Sequence, residues 1–206
     1  MGTSSGLIGY DRFLAIVLCV AAAAFSGNAI PAEQPTKVAA AVPIAPGEKV
    51  SSIARATIFV RDQEQSLKLY RDILGLKVYI DNVVEGSAIN AIMGTTGVTL
   101  RAAILQAGNT TSGNLGIYEI VGEKSSVLRP QRRTHVETGD AAVVFYTRNL
   151  DAIAAQVELA GYRVVAMPLV LFNDPAKIVQ TREMLFFDAD NVLVNLIEEG
   201  RLRAGP

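Results

Sequence analysis

Arg55-Ala-Thr-Ile-Phe-Val-Arg-Asp62 is followed at once by Gln63-Glu-Gln-Ser-Leu-Lys-Leu-Tyr-Arg-Asp-Ile-Leu-Gly75. The β-branched and aromatic run from Arg55 to Val60 predicts a strand. Asp62 stands where a helix N-cap belongs, and Gln63 to Leu74 reads as the helix. Leu67, Tyr70, Ile73 and Leu74 are spaced to bury one helical face. Gly75 supplies the stop. Lys77 to Asp81 then predicts a second strand. Asn82 to Gly97 reads as a loop with a helical turn. Val98 to Gln106 and Leu115 to Val121 predict two more strands, joined by a turn from Gly108 to Gly113.

The pattern then recurs. Asp140 to Thr147 predicts a strand, Asn149 an N-cap, Leu150 to Leu159 a helix and Gly161 its end. Tyr162 to Ala166, Gln180 to Asp188 and Val192 to Glu198 predict the remaining strands. Phe59-Val60-Arg61-Asp62 matches Tyr146-Thr147-Arg148-Asn149 at a spacing of 87 residues, and Gly75 matches Gly161 at 86. A period this long marks a duplicated module rather than a solenoid repeat. The fold expected is α+β: two tandem βαβββ modules, residues 53–122 and 139–199, forming a curved open barrel. Helices cover one side of each sheet, which leaves a central concave cavity on the other for a small ligand. Residues 200–206 read as a tail.

Composition narrows the function. Half of the 206 residues are hydrophobic, enough for a sizeable core. Nineteen basic residues against 20 acidic ones give no electrostatic reason to expect nucleic acid as a partner. One Cys and one His exclude a structural zinc cluster and an internal disulfide.

Arg12 precedes the uncharged run Phe13 to Phe25, and Ser26-Gly-Asn-Ala29 follows. This is the order of a secretory signal: charged, apolar, then small residues. The run is shorter than the ~20 apolar residues of a spanning helix. Residues 1–29 are therefore expected to be a signal peptide, cleaved after Ala29 or Ala32, with the mature protein periplasmic or secreted. Cleavage would leave no stable membrane insertion. The alternative is an uncleaved anchor. Residues 30–52, with Pro31, Pro35, Pro43 and Pro46, read as a flexible tether.

The opening stretch Arg55 to Asp62 with Ser66 to Lys77, and the closing stretch Glu183 to Glu198, resemble the vicinal-oxygen-chelate superfamily of glyoxalases, bleomycin-resistance proteins and extradiol dioxygenases. The family's aspartate–proline–aspartate–glycine turn reads Asp188-Ala-Asp-Asn191 here, and Asn tolerates the left-handed conformation that Gly would supply. The resemblance implies one divalent ion held by a His or Glu from each of four strands. Carried over singly, those positions fall at Arg55, Glu119 (with a register uncertainty of one), Ala142 and Asn195. Only Glu119 is retained, so no metal and no other cofactor is expected; a divalent metal is the alternative. The resemblance also implies a homodimer.

Strand alternation puts Arg55, Thr57 and Phe59 on the concave side, with Ile117, Glu119 and Val121, then Ala142, Val144 and Tyr146, then Leu193, Asn195 and Ile197. The candidate ligand-binding residues are Arg55, Thr57, Glu119, Tyr146 and Asn195. Arg55 and Glu119 are expected either to pair there and receive a ligand's oxyanion or to be ordinary surface charges. Arg101 and Arg182 are expected to face solvent by alternation. The linker cluster Arg129, Arg132 and Arg133 reads as a solvated face, and His135 as a solvated loop residue. Gly94 to Gly97 lacks the Lys-Ser/Thr of a phosphate loop.

Three functions remain open: a metal-free binding domain for a small, partly apolar organic ligand; a metal-dependent lyase, isomerase or dioxygenase; or a partner-binding module whose cavity is filled.

Overall fold

Asp62 caps the first helix as its sequence position requires, its side chain accepting the Gln65 backbone N–H at 3.0 Å. A computed structural model describes residues 42–110, 112–122, 133–174 and 179–202, all within one compact unit spanning Thr36–Pro206. The signal-peptide reading therefore lies outside the described residues, as do Arg129 and Arg132. No helix among the described residues is long and apolar enough to cross a membrane.

The first module contains β1 (Arg55–Val60), α1 (Gln63–Leu67), β2 (Lys77–Val84), α2 (Ser87–Met93), β3 (Thr99–Gln106) and β4 (Asn114–Val121). After Leu67 the helix widens into a π-helical turn, Lys68–Ile73, with Leu74 N–H bonded to the Leu69 carbonyl at 2.9 Å. The second module contains β5 (Ala142–Thr147), α3 (Leu150–Leu159), β6 (Arg163–Asp174), β7 (Val179–Phe187) and β8 (Leu193–Leu202). The strand orders β1-β4-β3-β2 and β5-β8-β7-β6 are the same order in two copies. In each, the first strand runs parallel to the last and the remaining pairs are antiparallel.

The strands form two separate four-stranded mixed sheets and no closed barrel. Two expectations need correction. Strand β6 runs to Asp174 instead of ending at Ala166, because the register shift between Ala166 and Leu169 lets Pro168 sit in an irregular step without breaking the ladder. Strand β8 continues to Leu202, beyond the expected module end at Glu199.

The core lies against the helices. Ile58, Val60, Leu115 and Ile117 of the first sheet and Met184, Phe186, Val194 and Leu196 of the second meet Leu67, Tyr70, Leu150 and Val157 in one buried cluster. The modules are joined there by the turn between β7 and β8. The Tyr70 hydroxyl donates to Asp188 Oδ2 at 2.8 Å, and Asp188 Oδ1 accepts the Asp190 and Val192 backbone N–H groups. Arg61 Nε donates to Asp190 Oδ1 at 2.8 Å. Asn191 takes the left-handed conformation, φ 63°, expected of a residue standing in for glycine. Burial pushes the Asp188 carboxyl up to about 6, although its hydrogen bonds pull the other way. Burial, with the charge of Asp188 beside it, raises the Tyr70 hydroxyl well above its ordinary value.

Candidate functional site

Residues paired across neighbouring strands share a sheet face. In the first sheet Arg55 pairs with Asn114, Thr57 with Gly116 and Phe59 with Tyr118. These residues lie on the open face, away from the core. Ile58 pairs with Ile117 and Val60 with Glu119 on the helix face. In the second sheet Ala142 pairs with Leu193, Val144 with Asn195 and Tyr146 with Ile197 on the open face, while Thr147 pairs with Glu198 on the helix face. The expected parity holds for β1, β5 and β8 and is off by one in β4. Ile117 is wholly buried in the core.

Glu119 therefore does not face Arg55. It accepts from Arg101 Nη1 at 2.9 Å and from the Gln63 backbone N–H at 3.2 Å, and Arg101 Nη2 lies 3.8 Å from Glu64. Glu198 repeats the arrangement: Arg182 Nη1 donates to Glu198 Oε2 and to Asp151 Oδ2, both at 3.0 Å. Glu64 and Asp151 each occupy the second position of their helix. Arg101 and Arg182 are thus not solvent-facing alternates. Each ties the first turn of its helix to its sheet. The hydrogen bond to Asp151 is the main cause that raises the Arg182 guanidinium above its ordinary value.

Repeat equivalence follows from these pairings. Asn195 corresponds to Gly116, and Glu198 corresponds to Glu119. The four ion-ligand positions then read Arg55, Gly116, Ala142 and Asn195. That set holds no carboxylate, imidazole or thiolate, and it contains a fixed cation, so it does not fit a divalent metal. Among the described residues no group of three or more His, Cys, Asp or Glu side chains is placed to hold one. The open face of the second sheet does carry a carboxylate, Glu183, which accepts from Asn195 Nδ2 at 3.1 Å.

Around Arg55 the open face is built rather than bare. Arg55 Nε donates to Thr57 Oγ1 at 3.0 Å, and its guanidinium carbon lies 5.4 Å from the centroid of the Tyr118 ring. Phe59 meets Tyr118 edge to face, centroids 5.9 Å apart. Gly116 makes room for this. A Cβ there would stand 2.9 Å from Thr57 Oγ1 and 3.0 Å from Arg55 Cδ. Sequence reasoning missed Gly116 and Tyr118; the glycine inside an apolar strand was the signal, since it marks close approach of a neighbour. On the second sheet Val144 and Tyr146 are exposed, and Tyr146 occupies the position equivalent to Phe59.

Arg133 is another correction. It is buried, donating to both oxygens of Asp140 at 2.7 and 2.8 Å, with its guanidinium 5.1 Å from the Phe187 ring centroid. The Asp140 bond raises its basicity. Arg163 lies over the same ring at 4.7 Å. His135 is exposed, as expected, 3.6 Å from Glu137. A polar cavity of about 310 Å³ lies beside the inter-module joint, lined by Arg61, Gln65, Tyr162, Arg163, Asp188 and Asn191 among others. Of its two arginines, Arg61 is paired with Asp190, and Arg163 donates to the Asn191 side-chain oxygen.

Two βαβββ modules, related residue by residue and sharing a helical core, define a tandem-module α+β protein with an open sheet face in each half. Residues 52–196 match the Glyoxalase/Bleomycin resistance protein/Dioxygenase superfamily, and the chain belongs to that superfamily. Among solved structures it is similar to a glyoxalase family protein from Bacillus cereus, with 16% identity over 76% of this chain and 99% of that one at a TM-score of 0.61. It is also similar to a glyoxylase/bleomycin resistance protein/dioxygenase domain from Frankia sp. (19% identity, 76% and 96% of the chains, TM-score 0.48). A third is the trypanothione-dependent glyoxalase I of Leishmania major (14% identity, 73% and 88%, TM-score 0.47). Comparison with curated proteins returned no match.

Proposed function

We propose that this chain is an exported binding domain that holds a small, partly apolar organic molecule on its open sheet faces without a divalent ion. The ligand contacts are Arg55, Thr57, Phe59 and Tyr118 in the first module and Tyr146 and Asn195 in the second. The observation that carries the reading is the side-chain set at the four ion-ligand positions, where a guanidinium, a bare backbone, a methyl group and an amide replace chelating groups. Glu119 leaves the ligand set, because Arg101 and the α1 N-terminus take its carboxylate. Apolar and aromatic side chains beside one cation suit a molecule with an apolar body and few polar atoms.

The exposed Phe59, Val144 and Tyr146 lie on β1 and β5, the outer strands of their sheets. Exposed apolar edges favour association, so we also propose a homodimer in which a second copy covers part of these faces. Light scattering on the purified chain tests this and is expected to give twice the monomer mass.

Backbone amide chemical shifts, followed while small neutral and charged aromatics are added, test the ligand site. Saturable shifts are expected at Thr57, Phe59, Tyr118 and Tyr146. Saturable shifts confined to other surfaces contradict the proposal, as does binding that requires added divalent metal.

A further inference from the structure

We infer that the ligand of the first module's open face is a small aromatic carboxylate, its anion gripped by Arg55 and its ring laid against Tyr118 and Phe59. This rests on the binding role proposed above and names the chemical class of the ligand.

The arginine supplies the first argument. Arg61, Arg71, Arg101, Arg133 and Arg182 each have a carboxylate within ion-pair distance. Arg55 has no ion pair among the described residues; its hydrogen bond is the one from Nε to Thr57 Oγ1. Guanidinium binds carboxylates through two parallel N–H donors. With Nε committed to Thr57, the pair that remains is Nη1 and Nη2, presented end-on. The cation has two restraints, the Nε bond to Thr57 and the Tyr118 ring beside its central carbon. An ordered guanidinium loses less freedom on binding than a free one.

The second argument is the surroundings. Arg55 and Phe59 flank the Tyr118 ring at 5.4 and 5.9 Å from its centroid. A cation thus stands over one aromatic ring that a second ring meets edge to face. One guanidinium without a second cation matches a monoanion better than a phosphate dianion. Phe59 is 54% exposed, so its ring has area left to cover. Gly116 completes the seat, since any side chain there would press on Arg55 Cδ and Thr57 Oγ1.

The test is a set of NMR titrations of the full chain with benzoate, benzamide and acetate, repeated on Arg55→Gln, Arg55→Lys and Phe59→Ala. Benzoate is expected to bind saturably, shifting Arg55 Hε and the Phe59 and Tyr118 amides. Benzamide and acetate are each expected to bind about tenfold more weakly. Arg55→Gln should weaken benzoate about tenfold and leave benzamide unchanged. Arg55→Lys, which keeps the charge and loses the fork, should fall between them. Phe59→Ala should weaken benzoate and benzamide together. Added salt should weaken benzoate and acetate and leave benzamide unchanged. Equal binding of benzoate and benzamide, or benzoate binding unchanged in Arg55→Gln, overturns the carboxylate class and leaves an open-face binder standing. No saturable shift on the open face with any of the three compounds overturns both.

Discussion

On the helix face of the first module, Arg101, Glu119 and Glu64 meet; on the helix face of the second, Arg182, Glu198 and Asp151 do. The triads sit at equivalent places and fasten equivalent helices. Turning each sheet over gives a different result. Arg55, Thr57, Phe59, Gly116 and Tyr118 on one side correspond to Ala142, Val144, Tyr146, Asn195 and Ile197 on the other, and no pair is identical. The duplicated fold keeps the face that fastens the helices and lets the open face diverge. The difference also corrects the reading of Glu119, whose counterpart is the buried structural Glu198.

Removing one carboxylate from each triad tests this comparison most severely. Glu198→Ala is expected to destabilise the chain by about 2 kcal/mol, because the Glu198 side chain is 3% exposed and its loss removes a buried charged hydrogen bond, leaving Arg182 on Asp151. Glu119→Ala should cost about half as much, since Arg101 reaches water more freely. Urea unfolding of both variants checks the order, and a larger loss in Glu119→Ala would break the equivalence.

The joint between the modules gives the next effect. The Asp188 carboxyl is raised to about 6 by burial, above the ~3.9 of an unfolded aspartate. The folded state therefore binds the proton more tightly. Its contribution favours folding fully below about pH 4, declines as pH rises toward 6, and is lost above that. The difference in unfolding free energy between wild type and Asp188→Asn should fall by about 2–3 kcal/mol between pH 4 and pH 7. A flat difference would place the carboxyl in water. Tyr70→Phe, which removes the hydroxyl donor to Asp188, is expected to cost about 1–2 kcal/mol at neutral pH by thermal unfolding. It should also move the Asp188 transition upward, since that hydrogen bond lowers its pKa.

Gly116→Ala should have the smallest effect on stability, under about 1 kcal/mol, because the atoms its methyl meets belong to side chains that can turn aside. Its consequence is local: the Arg55 Hε resonance should lose the signature of its bond to Thr57. Unchanged Arg55 shifts would show that the seat does not depend on the bare backbone.

Much of this was legible in the sequence because it is local. Alternation, an N-cap aspartate and a terminal glycine mark the first strand and helix, and their recurrence 87 residues later reveals the second module. The parity of β4 was not legible. Leu115-Gly-Ile-Tyr-Glu-Ile-Val121 is apolar on both faces, so periodicity has nothing to decide between. Only the pairing of Val60 with Glu119 places that glutamate on the helix side. The triads and the buried Arg133 escaped notice for a related reason. Their partners come from other strands, helices and loops, and a charged residue in a strand reads as solvent-facing until its neighbour across the sheet is known. The run of β6 past Ala166 was not legible either, because a proline inside a ladder needs an irregular step that composition cannot reveal.

Elemental analysis of the purified full chain, before and after equilibration with iron, nickel, zinc and manganese, addresses the divergence of the open faces most directly. Arg55, Gly116, Ala142 and Asn195 predict that each ion washes out to well below one per chain. One tightly held ion per chain, lost in Asn195→Ala or Glu183→Gln, would contradict the account.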